Sequence, residues 1–142
     1  FWTYTARLEA QGYRKLIAMS DILSELGIKP QPALVGFIWK ETSDIEILQA
    51  IRSFLGSVLE ANNILLESNI PWDRLRDQMK VTDDNEFKSL IKEYRLGVRC
   101  YWTDIDMKEA EKIVTILNTI DKEEIAGKEL QFDPKAFYVP QT

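Results

Sequence analysis

Two clusters of carboxylates are the first residues in this sequence whose types and spacing could do chemistry. Asp104 and Asp106 form one cluster, and Asp83, Asp84 and Glu86 form the other. Oxygen ligands of this kind can hold a divalent cation. Each cluster also lies where a helix is predicted to begin, and acids there cap backbone N–H groups and offset the helix dipole. Capping accounts for these positions, so the sequence predicts no metal ion and no cofactor.

Nucleophilic side chains are present, but the base that would activate them is missing. The chain contains no His, which removes the commonest general base. The single cysteine, Cys100, lies in an apolar stretch with Val98 and Trp102, where a free thiol is usually buried and inert. The GKEL sequence at Gly127 lacks the spacing of a phosphate-binding loop. The sequence therefore predicts a protein that is not an enzyme.

The stretch from Phe87 to Trp102 carries two stripes at helical spacing. The apolar stripe consists of Phe87, Ile91, Tyr94, Val98 and Tyr101. The basic stripe follows one residue later and consists of Lys88, Lys92, Arg95 and Arg99. Because a helix turns about 100° per residue, the two stripes lie side by side along one helix. We expect the apolar stripe to enter a core while the four cations face solvent.

This basic stripe is the one feature of the sequence that indicates a partner. Together with cations just upstream, it gives a set of candidate nucleic-acid-binding residues: Lys88, Lys92, Arg95, Arg99, Arg74 and Lys80. The alternative is a solvated helix face, because Asp73, Asp77 and Glu93 are interleaved and can pair locally. A stripe of this size contacts only a few phosphates, so binding would be weak and salt-sensitive.

The composition limits the class of protein. A chain of 142 residues, of which 45% are hydrophobic and 29% charged, suits one globular domain. The net charge of −5 argues against a free-standing protein held to nucleic acid by bulk electrostatics. The acid is concentrated in residues 100–133, whose net charge is −5, whereas residues 73–99 carry +1. A local basic face is therefore compatible with the acidic chain.

One cysteine cannot form an internal disulfide, which favours a reducing compartment. No apolar run approaches the roughly 20 residues of a membrane-spanning helix, and no signal peptide is visible. We therefore expect a cytoplasmic protein with no membrane partner and no small-molecule substrate.

Periodicity and turn signals predict the helices of the first half. Residues 3–26 are expected to form one long helix that ends at Gly27, with Ile28 folding back on its last turn. The apolar run Ala33–Trp39 could be a strand or a short buried helix, and we favour helix because no second strand is predicted. Ser43 and Glu46 form a capping-box pattern ahead of a strictly periodic helix over about 44–67. That helix is the predicted centre of the core.

The second half adds shorter helices and a tail. Pro71 is well placed to begin one helix, Asp83 caps the next, and Thr103 precedes the last. Five or six helices give an all-α, single-domain helical bundle over residues 1–127, which ends at Gly127. Residues 128–142 are expected to be an extended, proline-containing tail. Its aromatic side chains would dock on this protein or on a neighbour; they are Phe132, Phe137 and Tyr138.

An all-helical chain with no His, no catalytic motif and one basic helix face resembles the small subunit of CRISPR Cascade effector complexes, and type I-D systems above all. There the small subunit corresponds to the C-terminal helical part of the large subunit and is made from an internal start. A chain that begins FWTYT and ends FYVPQT fits that origin. The resemblance implies subunits that stack in a few copies, contact the backbone subunits, and steady the guide–target duplex or displaced strand through phosphate contacts.

The function we expect is therefore a non-catalytic helical subunit of a multi-protein nucleoprotein complex. Its partners would be other subunits, copies of itself and a nucleic-acid backbone. The alternative is an acidic protein-binding module, such as an immunity protein, inhibitor or adaptor, that meets a basic partner through the acids of residues 100–133. A third hypothesis is a divalent-dependent nuclease that uses Asp104 and Asp106.

Overall fold

The computed structural model describes residues 2–33, 35–99, 101–120 and 130–138. Six α-helices lie in these ranges: α1 (Trp2–Ala10), α2 (Met19–Glu25), α3 (Ile45–Glu67), α4 (Ile70–Met79), α5 (Asp84–Gly97) and α6 (Asp104–Ile120). A 3-10 turn follows at Pro134–Ala136. The described ranges contain no strand, and the predicted all-α fold is confirmed. They also contain no helix that is long and apolar enough to cross a membrane.

The chain divides into two compact units, each made of two separate stretches. The first unit comprises Phe1–Leu16 and Phe37–Cys100, and the second comprises Ile17–Gly36 and Tyr101–Thr142. The first unit therefore contains α1, α3, α4 and α5, and the second contains α2, α6 and the 3-10 turn. Three features of the sequence lie outside the described residues: Cys100, the helix end at Gly127, and the predicted domain boundary between 127 and 128.

The core of the first unit forms around α5. α1 packs along this helix, and Trp72 of α4 meets Tyr94 edge to face with ring centroids 5.0 Å apart. Leu90, which the predicted apolar stripe omits, is only 2% exposed. The buried side chains of this cluster are Ala6, Trp72, Val81, Phe87, Leu90 and Ile91.

The beginning of α5 is the one predicted from the sequence, but its end is not. Asp83 caps the helix as predicted, since its Oδ1 accepts the Glu86 N–H at 2.8 Å. The helix stops at Gly97, and Val98 is extended with φ −73° and ψ 132°. The predicted continuation to Trp102 is therefore wrong, and Tyr101 is exposed outside the helix. Glycine has low helix propensity and Val98 is β-branched, so the last turn is easily ended here.

The predicted long helix over residues 3–26 is wrong, because two helices occupy this stretch. α1 ends at Ala10, and Gly12 adopts φ +90°, which an L-residue with a side chain rarely adopts. The Gly12 N–H donates to the Glu9 carbonyl at 3.0 Å and the Tyr13 N–H to the Leu8 carbonyl at 3.1 Å. These two bonds form a Schellman motif, which ends the helix and turns the chain.

The end of α2 confirms the prediction made for Gly27. This glycine has φ +74°, and the Ile28 N–H donates to the Leu23 carbonyl at 2.8 Å. Leu23 and Ile28 are both buried, which is the apolar contact that accompanies this type of helix end.

The helix α3 has the predicted bounds but not the predicted role. Its N-cap is Asp44 rather than Ser43, because the Asp44 carboxylate accepts the N–H groups of Glu46 and Ile47. None of the residues of α3 is buried, so the prediction that this helix is the centre of the core is wrong. Periodicity identifies an apolar face, but it does not say what covers that face.

The apolar run Ala33–Trp39 is not helical in its described residues, so the preferred prediction is wrong there. Residue 34 lies outside the described part; Ala33 and residues 35–39 have no regular secondary structure. Ile38 is 98% exposed. Phe37 contacts Phe54 of α3 edge to face, with ring centroids 5.0 Å apart.

The second unit uses its acids internally. Asp106 is buried and its Oδ2 accepts both the Thr103 N–H, at 2.8 Å, and the Thr103 hydroxyl, at 2.7 Å. Glu109 is also buried; its Oε2 accepts the Lys29 N–H at 3.0 Å and its Oε1 pairs with Lys112 at 2.6 Å. These contacts begin α6 and attach it to the chain after α2.

The tail packs partly on its own unit. Phe137 stacks on Trp102, with ring centroids 5.3 Å apart and ring planes 4° from parallel. Phe132 stacks on Phe137 at the same centroid distance. The expectation that tail aromatics dock on this protein is therefore confirmed for Phe132 and Phe137.

Candidate nucleic-acid interface

The two lysines of the predicted stripe are the cations that α5 exposes. Lys88 and Lys92 are four residues apart, so they lie on the same side of the helix, about 6 Å apart along its axis. Both side chains are exposed. Neither ammonium forms an ion pair within 4.0 Å in the described part of the chain. Their charge is therefore available to a partner.

A groove of about 460 Å³ lies between α4 and α5. Four cations and two carboxylates line it, so the charge of its lining is +2: the cations are Arg76, Lys88, Lys92 and Arg95, and the acids are Asp73 and Asp84. Asn69, Phe87 and Ile91 complete the lining. The groove is therefore a locally positive concave surface on an acidic protein.

Arg76 is fixed in this groove by its own neighbours. Its Nη2 donates to Asp84 Oδ1 at 2.6 Å and to the Thr82 carbonyl at 2.8 Å, while its Nε donates to the Val81 carbonyl at 3.1 Å. Its guanidinium lies 4.7 Å from the centroid of the Phe87 ring. The hydrogen bond and the charge of Arg76 hold the pKa of Asp84 below its ordinary value, so this pair stays ionised.

Arg95 differs from the solvent-facing cation that the stripe predicted. Its Nε donates to the Leu65 carbonyl at 3.1 Å, and its Nη2 donates to the Ser68 carbonyl and to Asn69 Oδ1, both at 2.9 Å. The Leu65 carbonyl also accepts the Trp72 Nε1–H at 2.8 Å. Arg95 is half-buried and satisfies the last carbonyls of α3, which is a structural role.

The remaining three predicted cations do not join the two lysines. Arg99 lies beyond Gly97, where α5 has ended, so helical register no longer sets its direction. Arg74 is exposed on α4 and lines neither groove of α5. Lys80 ends α4 in the left-handed conformation, with φ 55° and ψ 44°, and also lies outside both grooves.

A second groove, of about 480 Å³, lies between α1 and α5. Its lining shares Lys88 and Lys92 with the first groove and adds Glu9, Ala10, Tyr13, Asn85 and Ser89. Lys88 and Lys92 therefore lie at the boundary between the two grooves.

Sequence reasoning missed Tyr13 as a site residue, because it placed this residue within one continuous helix over residues 3–26. The residue lies outside any helix and is 64% exposed. The signal that could have found it is Gly12, a strong helix-ending residue one position earlier.

The capping predicted for the acid clusters is confirmed for Asp83 and Asp106, which bond at the starts of α5 and α6, whereas Asp84 forms an ion pair. Asp83 caps α5, Asp106 bonds to Thr103, and Asp84 pairs with Arg76. In the described ranges, no group of three or more acid, Cys or His side chains is placed to hold a metal ion.

Comparisons of this chain with protein-family models, with curated protein sequences and with solved structures found no match.

Proposed function

We propose that this protein is a non-catalytic helical subunit of a multi-protein nucleoprotein complex, and that α5 contacts the phosphate backbone of the nucleic acid. The observation that carries the proposal is the position of Lys88 and Lys92. Both are exposed and without ion pairs in the described part of the chain, and each lines the two grooves that flank α5. Lysine ammonium groups in this setting bind phosphate as point charges.

The expected affinity of the isolated chain is low. Two lysines neutralise about two phosphates, which gives a slope of log K against log salt of about −1.4 for a single strand. The net charge of −5 opposes binding further. The contact therefore suits a subunit that other proteins hold against the nucleic acid, such as the Cascade small subunits that the sequence resembles. A cytoplasmic location is part of this proposal.

The exposed apolar face of α3 supports the protein-contact half of the proposal. Ile47 and Phe54 face the same side of this helix and are 49% and 50% exposed. Most helices gain their stability from packing an apolar face, so a long helix without a buried residue is suited to contact another subunit.

Charge reversal tests the phosphate contact. We expect the Lys88→Glu/Lys92→Glu variant of the full chain to lose measurable binding to fluorescein-labelled 15-nucleotide strands in low salt, measured by fluorescence anisotropy. The matched control is Arg52→Glu/Lys108→Glu, which changes the net charge equally at two exposed sites outside both grooves. Equal binding by both variants would refute the α5 contact.

The same α3 face favours a second candidate, a protein-binding module without a nucleic-acid role. The acids of residues 100–133 support it less, because Asp106 and Glu109 are buried with internal partners. This candidate predicts that the wild-type chain does not bind the labelled strands at any salt concentration, while a Phe54→Glu substitution abolishes its co-purification with its protein partner.

A further inference from the structure

The groove between α1 and α5 combines an exposed tyrosine with two lysines that form no ion pair within 4.0 Å in the described part of the chain. Tyr13 follows the end of α1 and lines this groove together with Lys88 and Lys92 of α5. Asn85 and Ser89 add side chains that can donate and accept hydrogen bonds. Its volume of about 480 Å³ falls in the range of about 300–1,000 Å³ that is usual for small-ligand sites.

The backbone of Tyr13 is held in place although its ring is exposed. The Schellman motif at the end of α1 fixes this residue through its N–H bond to the Leu8 carbonyl and through the positive φ of Gly12. The ring makes no contact with another aromatic ring in the described part of the chain. A tyrosine whose backbone is fixed has only two side-chain torsions left to order, so its uncovered ring can stack on a ligand at little entropic cost.

Lys15 offsets part of the negative charge beside this groove, because its single ammonium pairs with the carboxylates of both Glu9 and Glu93. Its Nζ lies 3.3 Å from Glu93 Oε1 and 3.6 Å from Glu9 Oε1, and Glu9 is the one acid in the lining. Burial lowers the pKa of Lys15, but the hydrogen bond and the charge of Glu93, together with those of Glu9, raise it by more. The pKa of Lys15 is therefore above its ordinary value. Lys15 therefore stays charged, and the groove keeps the positive character of Lys88 and Lys92.

We infer that the α1–α5 groove is a base-stacking site for a single-stranded nucleic acid, in which an unpaired base stacks on Tyr13 while the adjoining phosphates meet Lys88 and Lys92. Stacking on an aromatic side chain, next to cations that follow the backbone, is the common mode of binding single strands. A base inside a duplex is covered by its neighbours and cannot reach the ring, whereas an unpaired base can. This inference rests on the proposed function, because it uses the same two lysines.

The test compares a strand with bases and a strand without them. The probes are labelled dT15, rU15, a 15-base-pair duplex, and an abasic strand of the same length, each titrated with the full chain in low salt. Tyr13→Ala should weaken binding of dT15 and rU15 about fivefold or more, since stacking is worth about that much or more per base. It should change binding of the duplex and of the abasic strand less than about twofold, and leave the salt dependence unchanged.

Two control variants distinguish the loss of the Tyr13 ring from a general effect of the substitution. Tyr13→Phe keeps the ring and should bind as the wild type does, and Tyr101→Ala removes another exposed tyrosine that lies outside the groove. Circular dichroism confirms that each variant is folded. Equal weakening of all four probes by Tyr13→Ala would overturn the stacking role.

The failure of this inference can be told apart from the failure of the proposed function. If Tyr13→Ala binds dT15 and rU15 as well as the wild type, while Lys88→Glu/Lys92→Glu has lost binding, the stacking site is refuted and the phosphate contact stands. If Lys88→Glu/Lys92→Glu binds like the wild type, both are refuted. A loss confined to dT15 or to rU15 would contradict a sequence-tolerant stacking site that serves either backbone.

Discussion

At the scale of the residue, the cations of α5 divide by what their charge is used for. Arg95 donates three hydrogen bonds to the C-terminal end of α3 and to Asn69. Lys88 and Lys92 donate none to the described part of the chain. A guanidinium presents several donors in a fixed plane and suits a cluster of carbonyls, whereas a flexible ammonium remains in water.

This division predicts different effects on stability. Arg95→Met keeps the apolar stem but leaves the Ser68 carbonyl without its donor, so we expect a loss of about 1–2 kcal/mol in the free energy of unfolding. Lys92→Met, on the same helix, should change it by less than about 0.5 kcal/mol. Urea denaturation followed by circular dichroism measures both, and equal effects would contradict the structural role of Arg95.

Glu109 gives a prediction about pH. The hydrogen bond from Lys112 lowers the pKa of Glu109, burial acts against this, and the Lys29 N–H adds to the lowering. A depressed pKa in the folded state stabilises the protein above the unfolded value of about 4.3, and this stabilisation is lost as the pH falls through the folded value. Glu109→Gln should therefore be less stable than the wild type near neutral pH, with a difference that shrinks in acid.

Free energies of unfolding at neutral and acidic pH measure this difference. The control is Glu111→Gln, an exposed acid on the same helix. A Glu109→Gln curve that runs parallel to the wild-type curve over the whole acid range would contradict the ionised pair.

At the scale of the element, α5 is the centre of the first unit's core and α3 is not. Leu90 of α5 is 2% exposed, whereas Ile47 of α3 is 49% exposed. Leu90→Ala should therefore cost about 2–4 kcal/mol of unfolding free energy, because it leaves a cavity in packed surroundings. Ile47→Ala should cost less than about 1 kcal/mol, because its side chain is half in water. Chemical denaturation of the two variants decides which helix organises the core, and a larger loss for Ile47→Ala would contradict the assignment to α5.

Local signals predicted helix ends well where a single residue determines them. Gly27 with Ile28, Pro71 near the start of α4, and Asp83 before α5 were all identifiable, because a left-handed φ, a missing N–H and a carboxylate cap each act within a few residues. Gly12 acts by the same rule, but the apolar period that begins at Tyr13 favours one continuous helix through this region. The helix break can be predicted only if the low helix propensity of Gly12 is given more importance than the apolar period.

Tertiary contacts were the part that the sequence could not supply. The run Ala33–Trp39 and the stripe of α3 both predict burial, yet Ile38 and Ile47 are exposed. An apolar side chain tends to be buried, but the surface that covers it can belong to another chain. The basic stripe likewise identified Lys88 and Lys92 as exposed cations. Only the structure shows that Arg95 differs from them, because it donates hydrogen bonds to carbonyls at the end of α3.

At the scale of the whole molecule, an acidic protein is proposed to contact a polyanion. The net charge of −5 gives long-range repulsion, which falls with distance over about 10 Å at 0.1 M salt. Under this proposal, attraction would be local to the two grooves beside Lys88 and Lys92, so the chain would contribute position rather than affinity. The remaining affinity would come from the other subunits of the complex.

The salt dependence of binding tests the phosphate contact most directly. In anisotropy titrations of dT15 over a series of salt concentrations, the slope of log K against log salt should become shallower by about 1.4 when Lys88 and Lys92 are both replaced by Ala. Replacing Arg74 and Lys80 by Ala removes two exposed cations outside the grooves and should leave the slope unchanged. A slope that is the same for the wild type and for Lys88→Ala/Lys92→Ala would contradict the proposal that α5 binds phosphate.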